Sequence, residues 1–289
     1  MRPDVNDMGT GIFFAAFALF GATTGSILSG AVIERIRLSA FLTLAVILGG
    51  GVWILAGSWG WHPSGWLLTQ FGYHDVGAAG VVHAVAGFFA LGVLMNLGAR
   101  IGKFKNGKPQ AIPPHNMPMS LLGLMMIIVG FFGFLGGCII FNTGDIGWTT
   151  IYGTQTNLSA FAFNTVMGFA GGVIGAYLIS RDPFWTMSGG LGGIITVAAG
   201  LDLYYPGLAF ALAASGGALM AKVGNFLEQR GLDDSVGAFA VHGFCGFYGV
   251  VLVGIFAAGF ANAEGMPDIS FTGQLVGAVV MALTGFIPG

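Results

Sequence analysis

The sequence predicts an all-α integral membrane protein, a bundle of about nine spanning helices. Three observations predict it. Of 289 residues, 55% are hydrophobic and only 8% charged. A soluble domain carries about 25% charge, so this chain cannot clothe a surface in water. Apolar runs long enough to span a bilayer follow one another with short links. The basic residues fall almost entirely on alternate links, the pattern that marks the cytoplasmic side of a membrane protein.

The runs lie at about 11–33, 38–59, 76–100, 116–141, 157–180, 185–202, 206–227, 235–261 and 271–287. The links after the first, third, fifth and seventh carry nine of the ten Lys and Arg residues: Arg35, Arg37, Arg100, Lys103, Lys105, Lys108, Arg181, Lys222 and Arg230. Only Arg2 falls on the other side. The opposite links, Trp59–Asp75, Asn142–Asn157, Asp202–Gly207 and Asn262–Ser270, hold none. The chain therefore starts outside, and the links are short enough for 1–289 to be a single transmembrane domain in the cell membrane. The first run closes on Glu34-Arg35-Ile36-Arg37, an anchor and turn. Asp75 precedes the third and reads as its N-cap, a carboxylate complementing the helix dipole. Pro114-His115-Asn116-Met117-Pro118 opens the fourth, with His115 a cap or loop residue. His62 and His74 lie outside and read as solvated.

Glycine, at 52 residues, lets helix backbones approach closely in lipid. Cys138 and Cys245 lie in apolar runs without metal spacing and read as small core residues. A net charge of −2 without a basic cluster gives no reason to expect nucleic acid.

Two ionisable residues lie well inside apolar runs. His83 is in the third, His242 in the eighth, and both stand in V-H-x-x-x-G. An ionisable group inside a membrane is costly and marks a functional site. These two runs cross in opposite directions, which is what an inverted repeat leaves behind, with its site near the midplane. A neutral imidazole has one donor and one acceptor, so two of them can share a proton along an apolar pore. The rival chemistry is a bis-histidine haem, though the chain offers one histidine per helix. Phe20 and Phe134 read ordinarily as packing residues, and Trp59, Trp61 and Trp66 as an interfacial belt. Aromatic faces at an outer mouth also attract cations.

GAVIERIRLSA (30–40), GWLLTQFGYHDVGAAGVVH (65–83), PPHNMPMSLLG (113–123), GFFGFLGG (130–137), FNTV (163–166) and AVHGFCGFYGVVLVGIFA (240–257) together resemble the ammonium transporter (Amt/Mep/Rh) family. The resemblance covers nearly the whole chain, in order. It implies an ammonium-transporter-like inverted-repeat bundle, with about nine of the family's eleven spanning helices, and a homotrimer with one pore per subunit. The family's twin pore histidines fall on His83 and His242, its phenylalanine gate on Phe20 and Phe134, its outer aspartate on Asp75 and its outer tryptophan on Trp61. Cys138 replaces the serine of the outer ammonium site; Phe17, Leu135 and Gly237 stand where glutamine, asparagine and aspartate are common.

The implied function is transport of ammonium or ammonia, with methylammonium as an analogue, by deprotonation at the outer mouth. No enzyme activity, metal or organic cofactor is implied. An ammonium sensor and a neutral NH3 or CO2 channel of the Rh type remain as alternatives. The resemblance begins at the family's third helix and stops short of its cytoplasmic tail, so a fragment or an internally started gene product is expected. PII-type regulators usually dock on that tail and are not an expected partner of this sequence.

Overall fold

The computed structural model describes residues 8–139, 158–262 and 265–289. Arg2 and the outer link Asn142–Asn157 lie outside the described residues. Nine helices take up the nine apolar runs: α1 (Met8–Val32), α2 (Leu38–Gly60), α4 (Ala79–Leu97), α5 (Met117–Cys138), α6 (Leu158–Ser180), α7 (Pro183–Ala198), α8 (Pro206–Gln229), α9 (Phe239–Phe256) and α10 (Phe271–Phe286). Two small features sit in links read as loops. A short helix α3 (Trp66–Phe71) ends on Gly72 at φ +62°, the usual left-handed stop. A hairpin pairs β1 (Phe104–Lys105) with β2 (Lys108–Pro109) through Asn106-Gly107, both at positive φ, as a tight primed turn requires.

Seven of the nine are long and apolar enough to cross a bilayer. The exceptions are α7 and α10, of 16 residues each, or about 24 Å of helix against a hydrocarbon core of about 30 Å. For α7 the run was expected to reach residue 202, and the cause of the early stop is visible. Val76 and Gly77 donate their backbone N–H groups to Ala199 and Ala198 at 3.1 and 2.9 Å. The segment before α4 thus satisfies carbonyls that a continuing helix would have used.

The starts follow local rules. Asn116, Asp182 and Ser270 each accept a backbone N–H three residues on, at 3.0, 2.9 and 3.0 Å. Proline stands in the first turn of α5, α7 and α8, where its missing N–H has no partner to lose. Inside the bundle, helices meet through small residues. Gly172 of α6 packs on the backbone of Gly189 and Gly193 in α7, and Gly217 of α8 packs on Gly172. Lipid gives no hydrophobic drive between helices, so such close backbone packing supplies dispersion instead.

The links cluster as their charge predicted. Asp233, after α8, sits between Arg35, after α1, and Arg100, after α4. Its carboxylate accepts from Arg35 Nη1 at 2.9 Å and from Arg100 Nε and Nη2, each at 2.9 Å. Arg100 also reaches Glu34 at 3.2 Å, and Lys103 reaches Glu228 at 2.6 Å. The two guanidinium groups hold the Asp233 carboxyl below its ordinary range, against burial. At the other end His74, before α4, lies within 3.0 Å of Asp202, after α7, and of Asn262, after α9. His74 is therefore not solvated. Its ring is drawn in by two acceptors from links far away in sequence. His62 is exposed, as expected; His115, read as a cap or loop residue, is an exposed loop residue next to the Asn116 cap.

Asp233→Ala should leave two arginines facing each other without their shared carboxylate, costing about 3 kcal/mol. Thermal unfolding in detergent should show a lower midpoint; an unchanged midpoint would mean this ion cluster does not hold the links together.

Candidate functional site

His83 and His242 meet. Their Nδ1 atoms are 3.0 Å apart, their ring centroids 5.1 Å, and their planes 19° from parallel. His83 is 1% exposed and its Nε2 is buried without a hydrogen-bond partner. A contact between two ring nitrogens requires one donor and one acceptor, so one proton is shared across it.

Each histidine lies in a π-helical turn, Ala79–Ala84 and Phe239–Phe244. Such single turns inside α-helices recur at functional sites. The glycine four residues after each histidine lets the partner helix through. A Cβ on Gly87 would overlap the backbone of Gly243 and His242. A Cβ on Gly246 would overlap the Ala79 carbonyl and stand 2.7 Å from Ala84 N. Gly87 thus faces the residue after His242, and Gly246 the residue after His83. The contact is reciprocal, which gives V-H-x-x-x-G its physical meaning.

The symmetry runs further than the motif. Eight residues before His83 is Asp75, and eight before His242 is Asp234. Asp75 Oδ2 accepts from Gly80 N and Val81 N at 2.8 and 2.9 Å, and from Tyr73 OH at 3.1 Å. The Asp234 carboxylate accepts from Ala238 N and Phe239 N, both at 2.8 Å. Three residues after each aspartate the chain turns left-handed, at Ala78 (φ +69°) and Gly237 (φ +71°). Gly237 accordingly occupies a position where glycine is free of strain. Burial raises both carboxyls, Asp234 to about 6, while these backbone donors pull the other way. Asp234 was missed in the sequence. The signal was there, in D-x-x-x-A-x-x-V-H at 75–83 and again at 234–242.

Rings lead from the histidines toward the end of the bundle where α4 starts. Phe134 lies 5.7 Å from His83 between centroids, and Phe20 lies 4.6 Å from Phe134, edge to face at 89°. Trp61 lies 5.3 Å from Phe20 and 5.4 Å from Phe17. Phe131, not singled out beforehand, stacks on His83 at 6.1 Å with planes 6° apart. Trp61 Nε1 donates to the Asp75 carbonyl at 2.7 Å, which fixes the indole at the head of the line. Asp75 touches the line through this carbonyl, while its carboxylate is turned into the start of α4. Cys138 sits one turn beyond Phe134 on α5, and its thiol donates to the Phe134 carbonyl at 3.4 Å. Both cysteines are free thiols, and Cys245 is buried.

Gly87→Ala should cost about 2 kcal/mol by forcing backbone apart, while Gly50→Ala, whose added methyl would meet nothing within 4 Å, should not lower the melting midpoint. Equal midpoints for the two variants would contradict the close crossing.

The chain matches the model of the Ammonium Transporter Family over residues 3–288. It is 33% identical to the ammonium transporter Amt1 of Methanocaldococcus jannaschii over 285 residues, covering 98% of this chain and 70% of that protein. It is 31% identical to Amt2 of Archaeoglobus fulgidus over 275 residues, covering 90% and 56%. Across these relatives it spans little more than half to about two thirds of their length. In structure it resembles a protein described as a sensor Amt protein, with TM-score 0.79 and 27% identity, covering 93% of this chain and 67% of that one. It shares its fold with Candida albicans Mep2, at TM-score 0.78 and 22% identity, covering 93% and 60%.

Proposed function

The chain belongs to the ammonium transporter family, and from that premise we propose that it carries ammonium across the cell membrane as ammonia, through the line of rings that ends on His83 and His242. It is a multi-pass integral membrane protein whose relatives are named as transporters, not enzymes. The observation that carries the proposal is the Nδ1–Nδ1 contact of 3.0 Å at the end of an aromatic file.

Each step follows from cost. An intact ammonium ion in hydrocarbon-lined space is very expensive, whereas a neutral molecule with a few hydrogen bonds is not. The outer rings Trp61, Phe17 and Phe20 offer π faces to a cation. Cys138 and the Asp75 end of the file complete this mouth. There the ion gives up a proton to water at the outer face. Ammonia then passes between Phe20 and Phe134, whose edge-to-face packing closes the path at rest. Beyond the gate, His83 Nε2 is free to bond the passing molecule, and the shared Nδ1 proton sets which ring donates and which accepts. Methylammonium is the natural probe.

Two further expectations belong to the proposal: that residues 1–289 act as one transmembrane domain, and that subunits assemble as a homotrimer with a pore in each. The mass of the purified complex reads the latter. A second reading, an ammonium sensor using the same site, draws on the 27% identity to the sensor Amt structure. It predicts binding without flux.

Uptake of labelled methylammonium into proteoliposomes is the test. His83→Ala and His242→Ala should each lower it by roughly tenfold or more, the effect of one lost hydrogen bond at a barrier, with insertion unchanged. Undiminished uptake in both variants would overturn the proposal; binding with no uptake by the unaltered chain would favour the sensor.

A further inference from the structure

His74 has no place in the file of rings, yet both its ring nitrogens and both its backbone groups are bonded. Its Nδ1 lies 3.0 Å from Asn262 Oδ1 and its Nε2 3.0 Å from Asp202 Oδ1. The Asn262 amide is oriented by a second bond, in which its Nδ2 donates to the Tyr73 carbonyl at 3.3 Å. Both ring nitrogens therefore face oxygen acceptors. A neutral imidazole has a single N–H and would leave one lone pair against another at hydrogen-bond distance. Only the doubly protonated ring satisfies both contacts.

The ring's backbone is held as firmly. Gln274 of α10, fully buried, donates to the His74 carbonyl at 2.8 Å and accepts from the His74 N–H at 3.3 Å. The His74 side chain is 11% exposed and that of Asp202 fully buried. One residue thus joins the link before α4, the turn after α7, the segment after α9 and the start of α10. The next residue, Asp75, caps α4 with its carboxylate and holds the Trp61 indole with its carbonyl.

We propose that His74 is a positioning residue, a doubly protonated imidazole that pins the outer collar and, through Asp75, sets the Trp61 ring at the mouth, so that loss of its proton loosens the mouth. This rests on the transport reading for its functional half only. Besides Asp202, the titratable groups around the ring are Asp75 and Tyr73 on its own segment and Tyr204 beside Asp202. The carboxyl of Asp75 and the phenol of Tyr73 interact with each other and bring no positive charge to compete. Burial opposes the charge on His74, but Asp202 and the bonds to Asp202 and Asn262 outweigh it and take the ring up to about 9. Because this lies above the ordinary value of 6.5, the contribution is complete below the ordinary value and disappears as pH rises through about 9.

The experiment has two arms on the full chain. In the first, imidazole 15N resonances of 15N-histidine protein in detergent are followed against pH. One ring should stay doubly protonated at about pH 8, beyond the ordinary histidine range, and its signal should be missing from His74→Gln. If His74 is neutral there, the proposal is overturned whatever the transport result. In the second arm, methylammonium uptake is profiled against outside pH for the unaltered chain and for Asp202→Asn. The substrate's own titration is common to both. The alkaline fall in uptake should move toward neutral pH in Asp202→Asn by roughly one unit or more, the removal of one close opposite charge; superimposable profiles would overturn the positioning role. Absence of uptake in the unaltered chain would sink the transport reading and with it this functional half, while the first arm still decides the protonation of His74.

Discussion

The structure depends on bringing two imidazoles to hydrogen-bond distance inside an apolar bundle. A histidine in such surroundings needs a partner, because an unpaired ring nitrogen away from water costs free energy. His83 and His242 provide one for each other across 3.0 Å. Their helices must then run nearly in backbone contact, and any side chain at Gly87 or Gly246 would stand in the way. The motif V-H-x-x-x-G is thus one packing solution used twice, with each glycine serving the opposite histidine. The π turns lie at the same points.

Polar side chains at both ends hold the elements that cross here. Asp75 and Asp234 fasten the starts of α4 and α9, which lie at opposite ends of the bundle. Arg35, Arg100 and Asp233 tie the basic end, while His74, Asp202 and Asn262 tie the other. Between these ends the described file consists of rings and two histidines, with no carboxylate, lysine or arginine among its members. This is the environment in which a neutral base moves cheaply and an ion does not. The proposed deprotonation at the mouth follows from that contrast.

Much of this was legible in the sequence, for identifiable reasons. Apolar runs act over whole helices, so the nine helical segments were readable from the order of the residues. The histidine pair was readable because each histidine interrupts an apolar run and because the same small motif surrounds both. What escaped reading rests on single contacts between distant residues. His74 bonds to residues 128 and 188 positions away, and no local pattern announces either. The early stop of α7 depends on donors in Val76 and Gly77. The π turns follow from tertiary packing, since AGVVHA and FAVHGF carry no turn residue that demands them. Asp234 is the exception: its offset from His242 repeats that of Asp75 from His83, and comparing the two halves beyond the motif would have found it.

The central claim is that the two imidazoles share one proton directly. Scalar coupling across an N–H···N hydrogen bond, measured between ring nitrogens in 15N-histidine protein, tests it without reference to transport. The account predicts one coupled pair of Nδ1 resonances, lost when either His83 or His242 is replaced. Two uncoupled rings in the intact protein, each bonded to solvent or to other groups, would contradict it.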